Sequence, residues 1–168
     1  MRLFSFRKKK KPFDLEAVLM LPDDTAIELA IADYLSEKSA IGDRLDVLNE
    51  QQRYFLLIEK LIVEVNHGGF FHYFYGWTGA YAVETVKALD LIGATKIKAL
   101  LEKAIAALPG PLTADTFERR NMLDAKEDEL EAVLKPLENN FYSGTGSIDD
   151  FGFLLAEFVR RNKESFRN

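Results

Sequence analysis

Both histidines of this 168-residue chain, His67 and His72, lie in the stretch VEVNHGGFFHYFYGWTG, and Glu64 precedes the first by three residues. A carboxylate and an imidazole at that spacing share one helix face, which is one half-site of a di-iron helical bundle. A complete site needs a second such pair and two more carboxylates, and the only other histidine, His72, is five residues away across the glycine pair. No metal and no cofactor are therefore expected. The chain has no cysteine, which excludes a thiol nucleophile, thiolate metal sites and disulfides. SGTGSID, from residue 143 to 149, puts two glycines ahead of a helix but lacks the preceding strand and the lysine of a phosphate loop. It reads as a capped turn. No acid–base constellation is legible, no catalytic residue stands out, and the expected class is non-enzymatic.

Two surfaces remain as candidates. Asp124, Glu127, Asp128 and Glu131 step by three and four residues, which places four acids on one helical face. Their steps rise by about 4.5–6 Å at 1.5 Å per residue, loosely compatible with the roughly 3.4 Å advance of phosphates along one DNA strand. A solvated helix face is the plainer reading of the same pattern. Acids also gather at Asp14, Glu16, Asp23, Asp24 and Glu28, and at Asp43, Asp46 and Glu50. The second candidate is the glycine-aromatic joint. There Asn66, His67, His72, Tyr75 and Trp77 would edge a groove for a peptide or small ligand, with Tyr75 or Trp77 at its lip and Asn66 as a polar handle. Against this stands a packing corner, because six of the chain's 20 Phe, Tyr and Trp fall between positions 70 and 77.

The elements that must position these residues are helices. Apolar residues recur at three- and four-residue steps at Ile27–Leu35, Phe55–Val65, Ile97–Leu108, Leu130–Phe141 and Phe151–Val159, and again at Val83, Val86 and Leu89. Phe70, Tyr73, Phe74 and Trp77 share that spacing and predict a short aromatic-faced helix after a stop at Gly68 and Gly69. Asp23 or Asp24 can cap the first helix, Gly42 separates it from the second, and Gly93 sits where a left-handed stop would fall. Pro136 should kink or break its helix. No alternating run of strand length occurs. The expectation is a single all-α domain of six or seven helices over residues 13–168.

Net charge refines the surface. The chain carries 22 Lys+Arg against 27 Asp+Glu, a net −5, yet six cations (Arg2, Arg7 and Lys8 to Lys11) and no acid occupy the first eleven residues. The remaining body is therefore at −11, which repels nucleic acid and attracts basic partners. Residues 1–12 read as a disordered basic arm, with weak contact to an anionic membrane or nucleic acid as the alternative. The sequence shows no secretory leader and no apolar run long enough to span a bilayer. Cytoplasm is the expected compartment.

EVNHGGFFHYF at 64–74, followed by ETVKALDLIGA at 84–94, resembles the signature of the helical domain of the DNA-mimic protein family, V-N-N-G-G-F, then aromatics, then E-T-V-x-A-L-x-x-I-G-A. The likeness extends over about residues 45–162 and includes LENNFY and LLAEFVRRN. His67 stands for the second asparagine, His72 for a usual glutamine, and GWTG for a more polar turn. The resemblance implies a structural role for the signature: Gly68 and Gly69 for the turn, Phe70 and Phe74 for the core, Glu84 and Thr85 for the next helix start, and Gly93 for its stop. It also implies a relative that presents carboxylates in place of DNA phosphates to a DNA-binding protein, in a family mostly without assigned activity. Three functions stay open. The chain is an acidic interaction protein that holds a basic, DNA-binding partner, a peptide or small-molecule binder (or cryptic enzyme) at the joint, or an immunity-type inhibitor of a basic toxin.

Overall fold

The computed structural model describes residues 12–144 and 148–167. Among them nine α-helices form and no strand: α1 Leu15–Leu19, α2 Asp24–Lys38, α3 Glu50–Tyr75, α4 Ala82–Ile92, α5 Thr95–Ala106, α6 Thr116–Asp124, α7 Glu127–Gly144, α8 Ile148–Arg161 and α9 Lys163–Phe166. Short 3-10 turns at Leu45–Val47 and Trp77–Tyr81 lead into α3 and α4. The all-α expectation holds, and the count of six or seven is corrected to nine. α1 and α9 are too short to show a repeat, and the inward face of α6 consists of Arg119 and Leu123, which no hydrophobic pattern reveals. The arm expected over residues 1–12, beyond Pro12, and the glycines of the SGTGSID turn fall at or next to the residues outside this description.

α3 is the central element because its apolar stripe is nearly unbroken. Phe55, Leu56, Ile58, Leu61 and Val65 are all buried, and each contributes roughly 1.5–3 kcal/mol relative to exposure. Against this rod pack α2, α4, α6, α7 and α9, while α8 lies on α2. One connected core runs from Leu15 to Phe166. Phe166 reaches it edge-on to Phe55 and Phe158, and the Asn49 and Gln52 side-chain amides fix that corner by donating to the Ser165 carbonyl at 2.6 and 2.8 Å.

The helix ends follow from local chemistry. Asp23, rather than Asp24, caps α2, its Oδ1 accepting from the Ala26 amide at 2.7 Å. Gly93 ends α4 in the left-handed region at φ 79°. One expectation holds and one changes. Gly68 and Gly69 both leave helical dihedrals and kink the chain, and the predicted aromatic-faced helix follows as the second limb of α3, ending at Tyr75 short of Trp77. Pro136 does not break α7, which continues to Gly144. The amide that Pro136 lacks would have served the carbonyl of Ala132; both residues are exposed, so water can serve it instead.

Candidate functional site

The joint is built on two glycines in non-helical conformations, Gly68 at φ −152°, ψ 20° and Gly69 at φ 75°, ψ −175°. Gly69 is required twice over. An L side chain rarely adopts its φ, and a Cβ there would stand 2.1 Å from Glu138 Oε1. That oxygen accepts the Phe70 amide, the first donor of the second limb, at 3.0 Å. Glu138 is buried, and its other oxygen faces the exposed Lys135 ammonium at 3.4 Å. One turn along α7, the Tyr142 hydroxyl donates to the Val65 carbonyl at 2.7 Å. α7 thus seals the break that the glycines open.

At the far end of the limb the counterpart is Arg119 on α6, which is fully buried. Its Nε donates to the Phe74 carbonyl at 2.8 Å, Nη2 to Gly76 at 2.7 Å and Nη1 to Thr113 at 2.7 Å. Burial holds this guanidinium below its ordinary pKa, and the carbonyl ends of α3 are its counter-charge. Arg120, beside it, covers the Tyr75 ring at 4.7 Å and donates to the Tyr75 carbonyl at 3.1 Å. The Tyr75 hydroxyl in turn lies 3.4 Å from Asp124 Oδ2. The remaining signature residues are structural as well. Thr85 meets the buried Tyr73 hydroxyl at 3.1 Å, Glu84 pairs with Arg53, and Phe70 and Phe74 are fully buried.

The histidines are arranged differently from the expected pattern. Glu64 Oε2 sits 2.9 Å from His72 Nε2, not on His67, and the two imidazoles lie 5.4 Å apart. The break redirects the chain so that residue 72, rather than 67, falls above Glu64. No group of three metal-ligating side chains exists among the described residues. Of the five residues proposed to edge a ligand groove, Asn66 and His72 are exposed, and Tyr75 lies under Arg120. Trp77 is no lip. Its ring rests on Gly42, where a Cβ would come within 2.3 Å, and meets Tyr81 edge-on at 6.0 Å.

A groove of about 660 Å³ does open at the break, and only His67 of those five lines it. Gly68, Gly69 and Phe71 continue the α3 side, while α7 supplies Asp128 and Glu131. Two of the four acids and the joint therefore meet in one concavity. The set itself is not carried by a single helix: Asp124 closes α6, Ala125 and Lys126 turn the chain, and Glu127, Asp128 and Glu131 begin α7. All four acids are exposed, and among the described residues no cation reaches any of them in an ion pair. The nearest lysines in sequence are engaged elsewhere, Lys126 with Glu129 at 2.8 Å and Lys135 with Glu138.

The other acidic clusters go to structural duties except Asp43, which is exposed and neither caps a helix nor forms an ion pair among the described residues. Asp14 and Asp23 are helix caps. Glu16 pairs with Arg167, Asp24 with Arg160, and Asp46 with Arg44. Glu50 accepts from Tyr54 at 2.9 Å. Glu28 is buried, and burial, with the nearby Glu59, pushes its carboxyl up to about 7. Its Oε2 has no hydrogen-bond partner. Glu59, also buried, is raised by the same loss of hydration, partly offset by Lys60 at 3.2 Å. Arg119, Lys135 and Glu138 carry no signal in the sequence. Glu138 does lie inside LENNFY, but nothing local gives it a role.

No helix among the described residues is long and apolar enough to cross a membrane. A family model described as DMP19-like protein matches residues 46–162, more than two thirds of the chain. No curated protein and no solved structure matches it.

Proposed function

This chain belongs to the DMP19-like family, named for a DNA mimic protein, and on that premise we propose that it is a non-enzymatic acidic protein that binds a basic, DNA-binding partner. Asp124, Glu127, Asp128 and Glu131 would stand where DNA presents phosphates. The observation that carries this reading is that none of the four forms an ion pair among the described residues, while most other surface acids there are capped or paired. An unpaired, hydrated carboxylate can exchange its counter-ions for a partner's lysine or arginine. A paired one must first give up its own cation.

A body at −11 would not itself hold nucleic acid, and it would work in a reducing compartment such as the cytoplasm. An immunity-type inhibitor of a basic toxin would use the same surface and differ only in what it holds. The test is capture of DNA-binding proteins by the full chain at low and high salt, with duplex DNA as competitor. Capture should weaken steeply with salt over the range where the Debye length shrinks below about 10 Å, and DNA should displace it. The variant Asp124→Asn/Glu127→Gln/Asp128→Asn/Glu131→Gln should lose most capture while remaining folded. Capture indifferent to both salt and DNA would sink the proposal.

A further inference from the structure

Resting on the reading above, we propose that the groove between the α3 break and α7 seats an arginine side chain of the basic partner. The α7 wall offers Asp128 and Glu131, neither ion-paired among the described residues. Between them and Lys135 lies Ala132, also lining the groove, whose carbonyl has no amide to accept from four residues on because Pro136 occupies that position. The opposite wall includes Phe71, whose ring is stacked on Tyr75 at 5.8 Å. Carboxylates on one side and an aromatic ring across the gap suit a planar guanidinium. It has five donors in a rigid fork and a face that stacks on rings.

The molecule already makes this contact with its own residues, Arg120 over Tyr75 at 4.7 Å and Arg53 over Tyr81 at 5.1 Å. Among the described residues Lys135 is the one lysine or arginine lining the groove, and its 3.4 Å approach to Glu138 is long for an ion-paired hydrogen bond. An incoming guanidinium can displace it without unseating Glu138, which keeps the Phe70 amide. At about 660 Å³ the groove is larger than one side chain, and its open, charged lining is unlike the mostly apolar pockets that hold small ligands. It therefore has room for the arginine stem and some flanking backbone of a protein.

The test uses the full chain and two dye-labelled peptides of equal charge, one with four arginines spaced by serines and one with four lysines, read by fluorescence anisotropy at low salt. The arginine peptide should bind at least about fivefold more tightly, a difference of roughly 1 kcal/mol. Asp128→Asn/Glu131→Gln should weaken it at least about tenfold, while Asp43→Asn/Glu102→Gln, the same charge change away from the groove, should weaken it less than about twofold. Phe71→Leu should erase the arginine preference and leave lysine-peptide binding in place. Equal losses in the two double variants, or no preference for arginine, would overturn the seat. A DNA-binding protein still captured in full by the Asp128→Asn/Glu131→Gln chain would overturn the seat and leave the mimic reading standing. A wild-type chain that prefers the arginine peptide yet captures no DNA-binding protein would keep the seat and remove the mimic.

Discussion

The two ends of the second limb of α3 solve one problem with opposite charges. At its start, Glu138 brings a carboxylate to the Phe70 amide; at its finish, Arg119 brings a guanidinium to the Phe74 and Gly76 carbonyls. An isolated six-residue helix has no independent stability, and both charges have the sign that its dipole favours. The ends differ in what stands behind them. Glu138 has Lys135 at the surface and a groove beside it, whereas Arg119 forms no ion pair among the described residues and is sealed from solvent. The sealed end is therefore the stability device. The open end is where the same clamp borders a concavity.

Removing the sealed clamp should have the largest effect. Arg119→Met strands the buried Phe74 carbonyl and the half-buried carbonyls of Gly76 and Thr113, and a loss of about 4 kcal/mol is expected in denaturant unfolding; a loss below about 1 kcal/mol would abolish the contrast between the ends. Gly69→Ala attacks the open end through its backbone and forces a side chain into the left-handed region against Glu138, at a cost of about 3 kcal/mol. Thermal unfolding read by circular dichroism checks it.

A third variant sharpens the comparison with a buried carboxylate that meets no amide. Glu28 has a folded pKa of about 7 against an ordinary 4.5, so the folded chain binds more protons between those values and stability must fall as pH rises through that window. Glu28→Gln should be nearly neutral below pH 4.5 and stabilising by about 3 kcal/mol at pH 8. Identical gains at pH 4 and pH 8 would show that Glu28 does not titrate there. Smallest is Glu138→Gln, which keeps an acceptor for Phe70 and loses only charge, about 1 kcal/mol in the same assay.

What the sequence disclosed follows from how local each determinant is. The stripe of α3 is written in consecutive turns, and so is the left-handed stop at Gly93. The two-glycine break and the aromatic limb after it were both legible, but the carboxylate that caps that limb, Glu138, lies 68 residues beyond Phe70. Trp77 falls at helical spacing with Phe70 and Phe74 and so read as one face. Its resting place is set by Gly42, in a distant loop. α6 stayed hidden because its inward residue is an arginine, whose partners are carbonyls that become acceptors only once α3 ends beside it. The acids of the candidate surface were all visible as letters. Their freedom from counter-charge was not, since it depends on which neighbour each lysine chooses in three dimensions.

The seat of Trp77 on Gly42 also makes the molecule its own spectroscopic probe. It is the only indole in the chain, and it bridges the connection after α2 and the turn that follows α3. Its emission should therefore shift when that seam loosens, reporting strain at the hinge without any attached dye.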